Sequence, residues 1–152
     1  MQFHFTNRGQ LSLLLAKLQP DTAPNWGTLD AQHMIEHLVT AMDYTNGRFT
    51  TVLEHDEERA AKSKKYLIYT DAVMPMNITA PGIVAIPENY RFENLEQAIV
   101  ALNESIDAFE LHFREPGIIE MHPGLGALNH EEWIIFHTKH FTHHFTQFGL
   151  LP

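Results

Sequence analysis

Apolar residues recur along this chain at three- and four-residue spacing, with polar residues filling the positions between them. That spacing gathers the apolar side chains onto one face of an α-helix. The first such stretch, 7–18, carries Leu11, Leu13, Leu14, Leu15 and Leu18, and must stop before Pro20, which cannot continue the hydrogen-bond ladder. After a linker over 21–27, Thr28 is suited to cap a second helix, with Asp30 in its first turn where negative charge is favoured. Leu29, His33, Met34, Glu36, His37, Val39 and Met42 belong to that helix, which ends near Asn46-Gly47. A third helix starts at Asn94, paired with Gln97 in a capping-box-like pattern. Its stripe is Leu95, Ile99, Leu102, Ile106, Phe109 and Phe113, and Glu115-Pro116-Gly117 ends it. Asn129 and Glu132 repeat the capping pattern before a fourth helix, and Gly149 can supply its left-handed final turn.

The stretch between the second and third helices lacks so clear a period. Phe49 to Lys65 can continue as helix, favoured by Ala60 and Ala61, and Tyr66-Leu67-Ile68-Tyr69 reads as a short extended piece. From Asp71 to Phe92 the chain holds Pro75, Pro81 and Pro87. Val73, Met74, Ile78, Ile83, Val84 and Ile86 suggest an ordered crossover packed across the helices, because a long connection needs a structural or functional reason. The predicted fold is all-α: a four-helix bundle with a long crossover between the second and third main helices, in a single domain over 1–152.

Composition narrows the chemistry. There is no cysteine, so disulfides, thiolate nucleophiles and cysteine-held zinc or iron–sulfur centres are excluded. Any thiol must arrive with a substrate. The formal net charge is -9, and from Met76 onward the only lysine or arginine residues are Arg91, Arg114 and Lys139. Nucleic acid is therefore not an expected partner, since phosphate binding needs a basic footprint. Arg59, Lys62, Lys64 and Lys65 are offset by Asp56, Glu57 and Glu58 just before them, which reads as a solvated helix face. No apolar run approaches the roughly 20 residues that span a bilayer, and the start Met1-Gln2-Phe3-His4 does not resemble a signal peptide. No membrane association is expected, and the cytoplasm is the expected location.

Histidine carries the chemical signal. His137, His140, His143 and His144 crowd into the fourth helix. At 100° per residue, Trp133, His137, His140, His144 and Gln147 share one face, and His143 is turned off it. Two imidazoles one turn apart, such as His140 and His144, can chelate an ion at a Zn–N distance of about 2.0–2.1 Å. The same spacing also suits ordinary polar packing. His33 and His37 form a second pair on the second helix, and a bundle can bring such pairs around one centre. A carboxylate-bridged two-metal site is disfavoured, because neither histidine helix carries the required Glu-x-x-His spacing.

Met34-Ile35-Glu36-His37-Leu38 and the tail His140-x-x-His143-His144-x-x-Gln147-Phe148-Gly149 resemble the DinB-like (DinB/YfiT-like) superfamily. Met121-His122-Pro123-Gly124-Leu125-Gly126-Ala127-Leu128, followed by Glu132-Trp133, resembles a bacterial branch of it. The resemblance runs from Trp26 to Gly149, with its distinctive words at the two ends. It implies a four-helix bundle holding a divalent metal on three histidines, matched here by His37, His140 and His144. Zinc or nickel is the implied ion, with iron and manganese also compatible with imidazole ligands.

Within that frame His137 is the candidate acid/base group, with hydrogen-bonded packing as its alternative. His33 reads as packing, and Glu36 points away from His37. His122 caps its own Pro-Gly turn or approaches the site mouth. Trp26 and Trp133 read as packing, and Tyr66, Tyr69 and Tyr90 are possible phenolic donors. Some members of the superfamily use low-molecular-weight thiols, but the tail departs from their His-x-Gly-Gln pattern, since Phe145-Thr146-Gln147 follows His144. Two functions are expected. One is a metal-dependent transferase or hydrolase acting on a small molecule with an exogenous thiol or water. The other is a non-catalytic metal-binding or structural bundle, assembled as a homodimer.

Overall fold

Every helix begins where a side-chain oxygen replaces a missing backbone acceptor. The caps are Asn7 for α1 (Arg8–Leu15), Asp30 for α2 (Ala31–Asp43), Asp56 for α3 (Glu57–Tyr69), Asn94 for α4 (Leu95–His112) and Asn129 for α5 (His130–Gln147). Each accepts the N–H three residues on, which removes one of the unpaired donors of a first turn. At α5 the box is complete, since Glu132 also accepts the N–H of Asn129 at 3.0 Å. The second helix starts two residues later than its sequence suggests: Asp30, not Thr28, is the cap. Aspartate reaches the N–H of His33 at 2.7 Å, and Thr28 lies outside the helix.

The computed structural model describes residues 2–76 and 87–152. It is the expected four-helix bundle, with a long crossover between α2 and α4. The buried faces of α2, α4 and α5 carry Met34, Ile35, Leu38 and Met42, then Leu102, Ile106 and Phe109, then Phe141 and Phe145. The crossover helix is shifted along the chain from its sequence reading: Phe49 to Asp56 is not helical, and α3 starts only at Glu57, where Asp56 caps it. Tyr66–Tyr69, expected as an extended piece, completes α3, because Ala60 and Ile68 give that helix a buried stripe. Its last carbonyls are captured from outside: Lys139 Nζ on α5 donates to the carbonyls of Leu67, Thr70 and Ala72. The expected packing of Ile78, Ile83, Val84 and Ile86 lies outside the described residues.

A two-stranded antiparallel hairpin, β1 (Ile119–His122) and β2 (Gly126–Asn129), joins α4 to α5. Periodicity over four residues is too short to announce it, and the segment reads only as a turn from sequence. Gly126 adopts φ 82° as the chain re-enters the second strand opposite His122. The Trp133 indole ties the hairpin to α5 by donating to the Glu120 carbonyl at 3.2 Å.

The amino-terminal segment closes the core. Phe3 packs on Phe145 with ring centroids 5.4 Å apart, and Phe5 is fully buried between Phe109 and Phe141. Neither residue stands in a periodic run, so neither is announced by the hydrophobic pattern. Truncation of Phe5→Ala should lower the unfolding free energy by about 3–5 kcal/mol, the range for a buried phenylalanine. Denaturant unfolding measures it, and a loss below 1 kcal/mol would show that this segment is not part of the core.

Candidate metal centre

The polar stripe of α5 faces inward, as its spacing predicts: Trp133, His137, His140, His144 and Gln147 are all buried. On α2, His37 lies across from it. The His37 Nε2 is 2.9 Å from His140 Nε2, and His144 Nε2 is 3.2 Å from the same atom. The three imidazoles offer one nitrogen each within 4.8 Å of one another, a cluster capable of chelating a divalent ion. Nitrogens bound tetrahedrally at about 2.0–2.1 Å lie roughly 3.3 Å apart, so the two contacts of His140 need to open only by tenths of an ångström, while His37 and His144 can stand up to 4.8 Å apart and would draw together on a shared ion.

Proton placement strengthens the fit. Gln147 Nε2 donates to the Trp26 carbonyl at 3.0 Å, which turns the amide oxygen toward His144 Nδ1 at 2.8 Å. A carbonyl can only accept, so the amide orientation is fixed, and the amide oxygen then requires a proton on Nδ1. His144 Nε2 is left with its lone pair directed into the cluster. His140 Nδ1 is buried and has no hydrogen-bond partner among the described residues. Burial also opposes charging the rings. It pushes His37 down to about 4 and His144 to about 3, and His140 well below its ordinary value. Neighbouring imidazoles add to each of these shifts. Neutral, closely apposed nitrogens in an apolar bundle are the donor set that imidazole-binding divalent ions require.

The remaining sequence candidates occupy other places. His137 is fully buried against Phe5, Phe109 and Trp133. Thr45 Oγ1 donates its proton to the Met42 carbonyl, so it accepts from His137 Nε2 at 3.0 Å. His137 Nδ1 is therefore unprotonated, and it has no partner among the described residues. Burial pushes this ring down to about 3. His33 Nδ1 is 3.2 Å from Asp30, and its ring packs on Tyr90 at 4.4 Å. His143 is half-buried beside Trp26. His122 caps its own turn, its Nδ1 accepting from Gly124 and Leu125 N–H at 2.9 and 3.0 Å.

Glu36 points away from its neighbour His37 and anchors the end of the crossover. Its carboxylate accepts the N–H of Arg91 at 2.7 Å and that of Phe92 at 3.0 Å. Tyr69 donates to Glu132 and Tyr90 to Asp30. Tyr66 is exposed. Gln147 is the functional residue that sequence reasoning left without a role. Its available signal was its place on the histidine face, three residues after His144.

A family model described as "Protein of unknown function (DUF1569)" matches residues 67–149, more than half of the chain. That span contains His137, His140, His144 and Gln147, while His37 lies before it. No curated protein and no solved structure matches the chain.

The buried imidazoles give the metal-free protein a definite pH dependence. A histidine depressed in the folded state binds more protons when unfolded, so stability falls as pH drops below about 6.5 and continues to fall toward the folded value. For His137 alone the loss between pH 7.5 and 5 is about 2 kcal/mol. Urea unfolding of chelator-treated protein at the two pH values measures it. Equal stability at both would contradict the burial of neutral rings.

Proposed function

The chain belongs to the DUF1569 family, and we propose that it is a metal-dependent enzyme of DinB-like type, acting on a small molecule as a transferase or hydrolase. The observation that carries the reading is the convergence of three Nε2 atoms, two of them on buried rings, with the His144 atom stripped of its proton by the Gln147–Trp26 relay. His37, His140 and His144 hold the ion in this reading, and zinc or nickel suits their neutral nitrogens. A divalent ion on three imidazoles retains open positions, where it lowers the pKa of a bound water or thiol or polarises a substrate oxygen. With no cysteine in the chain, a thiol reactant would be exogenous.

The chain's own residues supply the setting. Gln147 orients His144, and partners of this kind typically change metal affinity 10–100-fold. Trp26 in turn orients Gln147 through its carbonyl. His137 is enclosed on its apolar sides, and its depressed basicity makes it a weak proton acceptor at neutral pH. We therefore assign it first to bracing α5 against Thr45 at the end of α2, with proton transfer requiring the Phe5 side of its pocket to open.

Protein purified without an affinity tag should carry close to one divalent ion per chain. His37→Ala, His140→Ala and His144→Ala should each lower metal affinity by about 100-fold or more, and Gln147→Leu by about 10–100-fold. Metal analysis after dialysis against a weak chelator reads both. Undiminished metal in all three histidine variants would sink the assignment. A His137→Gln variant that keeps its metal separates the two roles of that residue: unchanged turnover supports bracing, and loss of turnover in a stably folded variant supports proton transfer.

A further inference from the structure

Both ends of the crossover return to one buried carboxylate. Asp43, at the last turn of α2, has no exposed surface. Its Oδ1 accepts from Arg48 Nη1 at 3.2 Å, Asn46 Nδ2 at 3.0 Å and Ser105 Oγ at 3.0 Å. Its Oδ2 accepts from Arg91 Nη2 at 3.0 Å. Arg48 stands where the chain leaves α2, and Arg91 just before it enters α4. Charge balance inside a protein calls for one cation per buried carboxylate. Here two guanidiniums share one.

Each arginine commits one terminal nitrogen to Asp43, and among the described residues its guanidinium makes no other hydrogen bond. Their side chains are 48% and 43% exposed, so the remaining donors are accessible. Between them lies a cavity of about 590 Å³ lined by Thr40, Tyr44, Arg48, Phe49, Thr50 and Arg91. The cavity is open to solvent, and it pairs apolar walls with a few placed polar groups. The other nearby carboxylate, Glu36, is already engaged by Gln32 and by the N–H groups of Arg91 and Phe92. Tyr44 and Thr50 add hydroxyls to the lining, and Phe49 adds an aromatic wall.

We propose that this cavity is an oxyanion subsite, binding the carboxylate or phosphate group of a small molecule through Arg48 and Arg91. A guanidinium offers a planar fork of donors that matches either group, and Asp43 fixes both forks before the ligand arrives. Thr40 and Tyr44 follow His37 by roughly one and two turns of α2, a rise of about 5–10 Å. A molecule bound by the arginines would, in this reading, extend along α2 toward the histidine cluster. This last step rests on the metal-centre reading, whereas the oxyanion subsite does not.

Titration calorimetry with inorganic phosphate and with succinate tests it on wild-type protein and on Arg48→Lys, Arg91→Lys and His37→Ala, with bound metal quantified in each. The lysine variants keep a positive charge beside Asp43 and so protect the fold, which circular dichroism checks, but they lose the planar fork. The subsite predicts millimolar or tighter binding of at least one probe, weakened tenfold or more in both lysine variants at unchanged metal content. It also predicts that His37→Ala still binds whichever probe the wild-type protein binds. Affinity unchanged in both lysine variants overturns the subsite, as does no binding to wild-type protein at 10 mM probe. Affinity lost in His37→Ala but kept in the lysine variants places the anion on the metal and also overturns it. Wild-type protein that carries no metal as purified, yet binds the probe through the arginines, removes the metal reading alone.

Discussion

Three imidazole nitrogens turned toward one another inside an apolar bundle cannot satisfy each other. A neutral ring has one N–H and one lone pair, and Gln147 has already assigned the His144 proton to Nδ1. His140 Nε2, between the other two nitrogens, can give its single proton to only one of them. Protonating the group is opposed by burial and by mutual repulsion. A shared cation would resolve the conflict for all three at once, and the surrounding structure holds α2 and α5 in the register that brings the three nitrogens together.

The supports are distributed in a consistent way. Trp26 and Gln147 set His144 from one end of α5, and Thr45 braces His137 from the C-terminal end of α2. Lys139 of α5 closes the end of α3 by taking the carbonyls of Leu67, of the capping Thr70 and of Ala72 just beyond it. The crossover is tied to α2 by Glu36 and Asp43, which catch its far end at Arg91 and Phe92. The result is a cavity at the C-terminal end of the helix that carries His37, with the Arg48 and Arg91 guanidiniums in its lining. Most of these ties use buried polar groups with their partners in place, the condition under which such groups specify one arrangement rather than destabilise it.

Much of this was legible in the chain. Three-and-four spacing located the long helices, and the Asn94 and Asn129 caps marked two of their starts to the residue. The inward face of α5 followed from angular arithmetic alone. His37 became a partner of His140 and His144 through family resemblance rather than spacing, because His33 offered an equal pairing on α2. The structure separates them: His33 is held at the helix start by Asp30 and Tyr90, while His37 reaches α5. What stayed hidden depends on contacts between distant residues. The hairpin is too short to show a period, Phe3 and Phe5 stand outside any helical run, and neither Asp43 nor Arg91 reveals its partner until the crossover closes. Tyr66–Tyr69 read as extended from its aromatic and branched residues, and tertiary packing kept it helical.

The most direct test of the metal centre is X-ray absorption at the edge of the ion retained by untagged protein. The account predicts a nitrogen shell at about 2.0–2.1 Å with outer-shell scattering from three imidazoles. Scattering from oxygen ligands alone, or from fewer than two imidazoles, would contradict it.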